Sequence, residues 1–273
     1  MTNVRLATDE AALSLDENVR VKPITGIFGA AIVGIDLSQP LGPDALTTIL
    51  KALNRYRVLV FRDQNGVQPR QLLDFATCFG APEVVEHPSH RDVDGVVGVK
   101  VLHSDAIEMA GRVTDSWHTD GATREQPRYI SVLQAIDVPD FGRDTMFADM
   151  VAAFERLSEP MKAFLEGLEA EHNWGMQKPG SPSVYHPLIA KDVDTGAKAL
   201  YVNRTYTKSI VGLRKDESDN LLEFLVSQAR QPELQIRVAW EPGTIVVWNN
   251  QLTQHYLVFD RAYPRVMHRV MVS

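Results

Sequence analysis

Short apolar runs typical of β-strands outnumber the helical patterns in this chain, and the two kinds do not alternate regularly. Strand-like runs include residues 58–61, 96–102, 129–136, 244–248 and 266–272. A doubly wound parallel sheet needs strands and helices in regular alternation, so this order argues against that fold. The pattern predicts a mixed, mainly β protein, with a β-sandwich or double-stranded β-helix (jelly roll) core and flanking α-helices.

Helical periodicity is confined to a few segments between the strand-like runs. Apolar side chains recur at helical spacing over residues 46–53, 72–79 and 216–230, and Asp149 is placed to cap a further short helix. These helices are expected to pack on the outside of the β core. Residues 173–187 are rich in Gly, Pro and Ser and are predicted to form a loop.

Length and charge limit the classes of protein to which the chain can belong. Its 273 residues suit a loose lead-in over residues 1–18 followed by a single domain over residues 19–273. With 28 basic and 35 acidic residues the net charge is −7, and the chain lacks the basic excess typical of nucleic-acid binding. The single cysteine, Cys78, permits neither an internal disulfide nor a thiolate zinc cluster. We find no signal-peptide pattern and no apolar stretch of membrane-spanning length, and we expect a cytoplasmic protein with no membrane partner.

Two side chains that can bind a metal stand two positions apart in Trp117-His118-Thr119-Asp120. In an extended segment His118 and Asp120 point the same way. Together they make two-thirds of a 2-His-1-carboxylate site, which holds one face of an iron(II) ion and leaves three positions open. A lone match this short more often marks two polar residues on a solvated strand face.

His255 is the best candidate for the third ligand among the eight histidines of the chain. It follows an apolar strand and precedes Arg265 and Arg269 on the closing strand, although a lone histidine is more often structural. The two arginines are four residues apart and so share one face of that strand. An inward-facing arginine is costly unless an anion meets it, so the pair suggests two anionic ligands, a co-substrate and a substrate. Salt bridges on an exposed face are the alternative.

These motifs resemble those of a known enzyme family, and the resemblance extends from about residue 21 to the C-terminus. In their order and spacing they resemble the taurine dioxygenase (TauD/TfdA-like) family of Fe(II)- and 2-oxoglutarate-dependent dioxygenases. The matching stretches are Trp117-His118-Thr119-Asp120, Arg143-Asp144-Thr145, His186-Pro187, Leu200-Tyr201-Val202-Asn203, Trp248-Asn249-Asn250, Thr253-Gln254-His255 and the segment Pro264-Arg265-Val266-Met267-His268-Arg269.

The resemblance implies a role for each matching residue at the metal and co-substrate site. His118, Asp120 and His255 would be the catalytic residues that bind Fe(II). Thr145 and Arg265 would hold the distal carboxylate of 2-oxoglutarate, by a hydroxyl and by a bidentate guanidinium.

The substrate-binding positions match the family less completely. Arg269 corresponds to the arginine that meets an anionic substrate group, His87 to a substrate-contacting histidine and Tyr206 to an aromatic residue of the substrate pocket. Thr114 stands where taurine dioxygenase has an asparagine that contacts substrate. Asn249 stands where the family has an aspartate, which changes a charge close to the third ligand.

The activity implied is hydroxylation of a C–H bond in a small anionic organic substrate, with consumption of O2 and 2-oxoglutarate and release of succinate and CO2. A taurine-like sulfonate or a sulfate ester is the favoured substrate. An aryloxyalkanoate or other carboxylate remains an alternative, as does a pathway-specific hydroxylase or desaturase. Family halogenases carry a small residue in place of the carboxylate, so the intact Asp120 favours hydroxylation. We expect a homo-oligomer, a dimer or a tetramer.

Two readings from other classes remain open on the sequence alone. Glu169 and His172 have the E-x-x-H spacing of a carboxylate-bridged di-iron helical bundle, although the chain has no second such motif and is rich in strands. A jelly roll that binds a metal or a small anion without turnover is the non-enzymatic alternative.

Overall fold

A computed structural model of the protein describes residues 14–83, 91–103, 116–126, 130–175, 178–258 and 264–273. These ranges contain five α-helices and sixteen β-strands. The helices are α1 (Pro43–Tyr56), α2 (Pro69–Ala76), α3 (Met150–Glu155), α4 (Glu159–Leu165) and α5 (Lys215–Ser227). The strands are β1 (Arg20–Pro23), β2 (Ala30–Val33), β3 (Val58–Phe61), β4 (Arg91–Val93), β5 (Val96–His103), β6 (Ile130–Asp137), β7 (Thr145–Asp149), β8 (Glu169–His172), β9 (Val184–Pro187), β10 (Ile189–Lys191), β11 (Lys198–Leu200), β12 (Thr207–Ile210), β13 (Gln235–Val238), β14 (Ile245–Asn249), β15 (Thr253–Leu257) and β16 (Val266–Val272).

The core consists of a large and a small sheet that face each other. The large sheet has eight strands in the order β1-β2-β3-β14-β6-β16-β5-β4, and the small sheet has the order β13-β7-β15. Within the large sheet β2 and β3 are parallel, and the other neighbouring pairs are antiparallel. Strands adjacent in space are mostly distant in sequence, as in a jelly roll. The predicted mainly β, jelly-roll fold with flanking helices is confirmed.

Apolar side chains from both sheets fill the space between them. Leu133 and Met267 of the large sheet belong to the same buried cluster as Phe147 and Ile236 of the small sheet. Phe147 is fully buried, and burial of an aromatic side chain of this size contributes roughly 1.5–3 kcal/mol to folding. Phe147 and Trp248 of this cluster lie with their ring centroids 6.2 and 5.3 Å from that of His255.

Helices cover the outer faces of the core. Ile49 of α1 and Leu72 of α2 are buried with Val132 and Val270 on the outer face of the large sheet. Helix α3 begins where β7 ends, because Oδ1 of Asp149 accepts hydrogen bonds from the backbone N–H groups of Val151 and Ala152. The cap predicted at Asp149 is therefore confirmed.

Several local predictions differ from the structure. Glu169–His172 is strand β8, paired with β9 and β12, so its E-x-x-H spacing does not place the two side chains on one helical face. The di-iron bundle interpretation is therefore wrong. Residues 184–187 form strand β9 inside the segment expected to be loop, because they pair with β8. None of the helices in the described ranges has the length and apolar character needed to cross a membrane.

Candidate active site

The two candidate histidine ligands lie directly opposite each other in an antiparallel bridge. The N–H of His118 donates to the carbonyl of His255 (3.1 Å), and the N–H of His255 donates to the carbonyl of His118 (2.8 Å). Residues opposed in this way direct their side chains to one face, and the two ring centroids are 4.2 Å apart. Because His255 also lies on β15, opposite Phe147 of β7, the bridge fixes residue 118 to the small sheet.

His118, Asp120 and His255 form a cluster with the geometry of a metal site. Each offers one ligand atom, and these three atoms all lie within 4.8 Å of one another. Two imidazole nitrogens and one carboxylate oxygen are the donor set of a 2-His-1-carboxylate iron site. The structure therefore brings together the three residues that the sequence analysis selected from distant parts of the chain.

The hydrogen bonds and burial of the two histidines suit them to bind a cation. The Nδ1–H of His118 donates to the carbonyl of Ser116 (2.8 Å), which leaves Nε2 with its lone pair. Burial lowers the pKa of His118, and burial followed by the charge of His118 lowers the pKa of His255 to about 3. Both rings are therefore neutral at pH 7, the state in which imidazole binds a metal. Among the described residues Nδ1 of His255 has no hydrogen-bond partner.

Asn250 connects the segment that carries His118 and Asp120 to the large sheet. Its side chain is fully buried, and its Oδ1 accepts from the indole N–H of Trp248 (2.8 Å) and from the backbone N–H of Asp120 (3.3 Å). Its Nδ2 donates to the hydroxyl of Ser131 (2.8 Å). The hydroxyl of Thr119 also donates to its carbonyl. Asn250 thus holds the segment by hydrogen bonds to both Thr119 and Asp120.

Arg269 lies beside the carboxylate of the cluster. Its Nη1 is 3.3 Å from Oδ2 of Asp120, and both side chains are mostly buried. Tyr206 is buried nearby, with its ring centroid 6.3 Å from that of His118 and 5.2 Å from that of Trp174. Burial and the charge of Asp120 raise the pKa of the Tyr206 phenol, so it stays neutral. A guanidinium and an aromatic wall thus border the three candidate ligands.

Arg265 immediately precedes β16 and is buried, with 7% of its surface exposed. Its Nη1 donates to the carbonyl of Arg143 (2.8 Å), two residues before Thr145. Burial, followed by the charge of Arg143, lowers the pKa of Arg265 to about 9. The hydroxyl of Thr145 accepts a hydrogen bond from the indole of Trp240 (3.0 Å), so its own proton is directed elsewhere. Arg265 and Thr145 are thus two buried donors, one bonded to the turn that precedes β7 and one at the start of that strand, and both are suited to a carboxylate.

The two arginines predicted to share a strand face are both mostly buried. Met267 lies between them in sequence and is buried in the cluster between the sheets, whereas Val270 is buried in the cluster under the helices. Strand residues alternate faces, so Arg269 is directed into the interior of the jelly roll together with Met267. Arg265 precedes the strand, beyond a register shift between Val266 and Met267, and its interior position follows from its burial. The alternative of an exposed salt-bridged face is wrong for this strand.

Some site residues fall outside this description or were missed. His87 and Thr114 lie outside the residues that the structure describes, so their substrate-binding roles stay predictions. Asn249 is buried at the end of β14 and its Oδ1 accepts from the backbone of Gln251 (2.9 Å). Sequence reasoning did not give Arg143 a role, although it is 2% exposed. An arginine beside a glycine in a turn carries no sequence signal of burial.

The chain is similar to a dioxygenase family and to individual dioxygenases over most of its length. The family model for the taurine catabolism dioxygenase TauD, TfdA family matches residues 20–271. An alpha-ketoglutarate-dependent sulfonate dioxygenase from Saccharomyces cerevisiae is 32% identical, over 94% of this chain and 68% of that protein. An alpha-ketoglutarate-dependent sulfate ester dioxygenase from Pseudomonas putida is 32% identical, over 100% of this chain and 94% of that protein.

The chain is also similar to a dioxygenase named for a different substrate and to a dioxygenase of known crystal structure. An alpha-ketoglutarate-dependent 2,4-dichlorophenoxyacetate dioxygenase from Cupriavidus pinatubonensis is 31% identical, over 87% of this chain and 91% of that protein. The crystal structure of a taurine dioxygenase from Burkholderia xenovorans superimposes with a TM-score of 0.84 at 34% identity, over 93% of this chain and 89% of that one.

Proposed function

The chain belongs to the taurine catabolism dioxygenase TauD, TfdA family, and from this premise we propose that it hydroxylates a sulfonate or sulfate ester at a C–H bond. It is an Fe(II)- and 2-oxoglutarate-dependent dioxygenase that acts on small anionic substrates. The non-enzymatic alternative of a metal-binding jelly roll is set aside by the dioxygenases that match nearly its whole length.

His118, Asp120 and His255 are the proposed iron ligands. The observation that carries this is their convergence within 4.8 Å, with the two histidines neutral and one fixed as its Nδ1–H tautomer by Ser116. When bound there, Fe(II) with 2-oxoglutarate and O2 supplies the oxidation of an unactivated C–H bond. The protein supplies the geometry of the ligands and a site from which water is excluded.

Arg265 and Thr145 are the proposed binding residues for the distal carboxylate of 2-oxoglutarate. Arg265 is buried, and its pKa of about 9 keeps it positively charged at pH 7. The Thr145 oxygen already accepts from Trp240, which leaves its O–H free to donate to a carboxylate. Thr145 is the first residue of β7 and Arg265 immediately precedes β16, so these two donors would fix how far the co-substrate enters the site.

Arg269 is the proposed binding residue for the anionic group of the substrate. It is 3.3 Å from Asp120, so an anion bound by its guanidinium would lie next to the iron ligands without replacing one of them. Tyr206 and Trp174 are in ring contact beside His118 and form an apolar wall for the carbon chain. His87 and Thr114 are proposed to complete the pocket on the strength of the family resemblance alone.

Substrate-stimulated release of succinate from 2-oxoglutarate tests this proposal. We would screen small sulfonates, sulfate esters, phosphonates and carboxylates, with product identification by mass spectrometry. A sulfonate or sulfate ester should stimulate release most strongly and yield sulfite or sulfate when the hydroxylated carbon bears the sulfur group. No iron-dependent succinate release with any compound, or with 2-oxoglutarate alone, would overturn the proposed chemistry.

An aryloxyalkanoate is the second candidate substrate. It is favoured by the similarity to a 2,4-dichlorophenoxyacetate dioxygenase over 91% of that protein, and a carboxylate fits Arg269 as well as a sulfonate does. In the same screen this candidate predicts release of a phenol.

The cytoplasmic location and the homodimer or homotetramer expected from the sequence also remain proposals. Size-exclusion chromatography with light scattering would test the oligomeric state.

A further inference from the structure

The carboxylate of Glu171, on strand β8, joins three segments of the chain by hydrogen bonds. Its Oε2 accepts from the hydroxyl of Ser209 on β12 (2.9 Å). Its Oε1 accepts from the hydroxyl of Ser183, immediately before β9 (2.5 Å), and from Nδ2 of Asn173, immediately after β8 (3.1 Å). The hydrogen bonds from Ser183 and Ser209 lower the pKa of Glu171, so the group is ionised at pH 7 and accepts from all three donors.

Asn173 extends this restraint to the backbone on both sides of Trp174. The backbone N–H of Asn173 donates to the carbonyl of Tyr206 (3.0 Å), and its Oδ1 accepts from the backbone N–H of Gly175 (2.8 Å). The second of these bonds spans two residues and makes an Asx-turn. The backbone N–H of Trp174 itself donates to the hydroxyl of Ser181 (3.3 Å). Trp174 is therefore the central residue of a turn that is bonded at its start, its middle and its end.

The indole of Trp174 packs edge-to-face on the ring of Tyr206. The two ring centroids are 5.2 Å apart and the ring planes make an angle of 78°, a favoured arrangement for an aromatic pair. Tyr206 is 5% exposed, and its ring centroid lies 6.3 Å from that of His118. An indole carried by a turn keeps such a contact only while the backbone of the turn is held. The hydrogen bonds of Glu171 and Asn173 thus determine where this aromatic wall stands.

We propose that Glu171 is a positioning residue for the aromatic wall, and that it sets the affinity for the carbon chain of the substrate by holding Trp174 against Tyr206. This inference rests on the proposed function, in which the two rings receive the carbon chain and Arg269 binds the anionic group. Because the hydrogen bonds of Glu171 lead to the turn of Trp174, its substitution should weaken binding of a long carbon chain. Binding of the metal and of 2-oxoglutarate should be unchanged.

Two sulfonates that differ only in their carbon chain test the inference without turnover. Protein loaded with Mn(II) and 2-oxoglutarate would be titrated calorimetrically with 1-hexanesulfonate and with methanesulfonate. In Glu171→Ala we expect the dissociation constant for 1-hexanesulfonate to rise about two- to tenfold, the range for loss of an aromatic contact. The constant for methanesulfonate should change less than about twofold, since one methyl group makes little contact with the wall. The affinities for Mn(II) and 2-oxoglutarate should equal those of the wild type.

A double-mutant cycle shows whether Glu171 acts through Trp174. Trp174→Ala should weaken 1-hexanesulfonate at least as much as Glu171→Ala does, and the double variant should lose no more than Trp174→Ala alone. Glu171→Gln keeps an acceptor oxygen in place and should retain most of the affinity, which guards against misfolding of the alanine variant. Glu169→Ala is the matched control, because Glu169 is an exposed carboxylate on the same strand, and it should bind both sulfonates as the wild type does.

Tryptophan fluorescence tests the position of Trp174 without any ligand. Trp117, Trp240 and Trp248 are 9%, 4% and 2% exposed, whereas Trp174 is only partly buried, so quenching by acrylamide reports mainly on Trp174. Glu171→Ala should be quenched more strongly than the wild type, because the indole is released from Tyr206. The same substitution made in a Trp174→Phe background should produce no such increase.

The outcomes separate this inference from the proposed function. If the wild type binds neither sulfonate, the proposed sulfonate activity is wrong, and the quenching of Trp174 still decides whether Glu171 positions it. If the wild type binds 1-hexanesulfonate and Glu171→Ala binds it equally well with unchanged quenching, the inference alone is overturned. Equal losses for the two sulfonates, or losses that add in the double variant, would also overturn it, because Glu171 would then not act through Trp174.

Discussion

Nη1 of Arg269 lies 3.3 Å from Oδ2 of Asp120, so the arginine proposed to bind the substrate also contacts the carboxylate proposed to bind iron. The two residues are 149 positions apart in sequence and are brought together because β16 runs through the middle of the large sheet. The contact orients the Asp120 carboxylate. If Arg269 binds the substrate anion as proposed, the contact would also couple the position of that anion to the geometry of the metal site.

Arg269→Gln should separate these two effects. Glutamine can keep a hydrogen bond to Asp120 but carries no charge, so the apparent KM for an anionic substrate should rise about tenfold or more. The metal should bind as tightly as in the wild type or more tightly, because a cation that repels it has been removed. Steady-state kinetics and a competitive metal titration would measure these changes. Weaker metal binding with unchanged KM would contradict the role of Arg269 in substrate binding.

Substitution of a proposed iron ligand should abolish turnover and leave the fold intact. We expect His118→Ala and Asp120→Ala to release succinate only at background rate, since a facial triad cannot be completed by two ligands. Bound iron, measured by elemental analysis, should fall from near one per chain, and the far-ultraviolet circular dichroism should be unchanged. His103→Ala is the matched control, because His103 is exposed at the end of β5. Retention of wild-type activity in either ligand variant would disprove the assignment.

Arg265→Ala should affect the co-substrate more than the substrate. Loss of a buried, charge-assisted bidentate contact should raise the apparent KM for 2-oxoglutarate by roughly ten- to a hundredfold. The KM for the substrate should change little, because Arg269 and not Arg265 lies beside Asp120. Initial rates with each ligand varied in turn would measure this. An equal effect on both would mean that the roles of the two arginines are wrongly divided.

Much of this arrangement could be predicted from the sequence because it follows from local rules. The apolar run over residues 266–272 predicts strand β16. The burial of Arg265 and Arg269 agrees with the interior face predicted for them, although a register shift between Val266 and Met267 interrupts the alternation that predicts it. His118 and Asp120 were found through their spacing alone. His255 was selected as the third ligand, yet the strand that carries it, β15, was not predicted, because its residues 253–257 are largely polar and are buried only through their pairing with β7.

The features that could not be predicted depend on contacts between distant segments. The bridge between His118 and His255 joins residues whose own sequences contain no signal for pairing. Strands β8 and β9 form because each completes the other's hydrogen bonds, although Gly, Pro and Ser just before β9 predict a loop. The hydrogen bond from Arg265 to the carbonyl of Arg143 likewise joins residues that are 122 positions apart.

Asn250→Ala should weaken both the fold and the metal site. The change removes the acceptor for Trp248 and Asp120 and the donor to Ser131, and it leaves buried polar groups unpaired, at a cost of roughly 2–4 kcal/mol of unfolding free energy. Urea unfolding would measure the loss, and the affinity for Mn(II) should fall because the segment of His118 and Asp120 is no longer held. Asn220→Ala, on the exposed side of α5, should change stability by less than about 0.5 kcal/mol. Equal stability of the two variants would rule out this role.

His172 should make the protein less stable as the pH falls below neutrality. Burial, followed by the charges of His186 and Lys208, lowers its pKa to about 3, against about 6.5 in an unfolded chain. Between these values the unfolded chain binds a proton that the folded protein does not, so this group's contribution to stability is complete above pH 6.5 and decreases toward pH 3. From pH 6.5 to pH 5 the loss from this residue should be about 2 kcal/mol. The Thr207 hydroxyl, 3.3 Å from Nδ1, does not offset it, since a hydroxyl adds no charge to stabilise imidazolium.

The pH dependence can be assigned to His172 by comparison with His172→Asn. Urea unfolding of the metal-free proteins between pH 7 and pH 5 gives the free energy of unfolding of each. Since His118 and His255 titrate with the same sign, the informative quantity is the difference in slope between wild type and variant. The free energy of unfolding of the variant should fall less steeply with decreasing pH than that of the wild type. The two slopes should differ by about 1.4 kcal/mol per pH unit, the value for one proton. Parallel curves would mean that His172 is protonated in the folded protein at the same pH as in the unfolded chain, against its burial between β9 and β12.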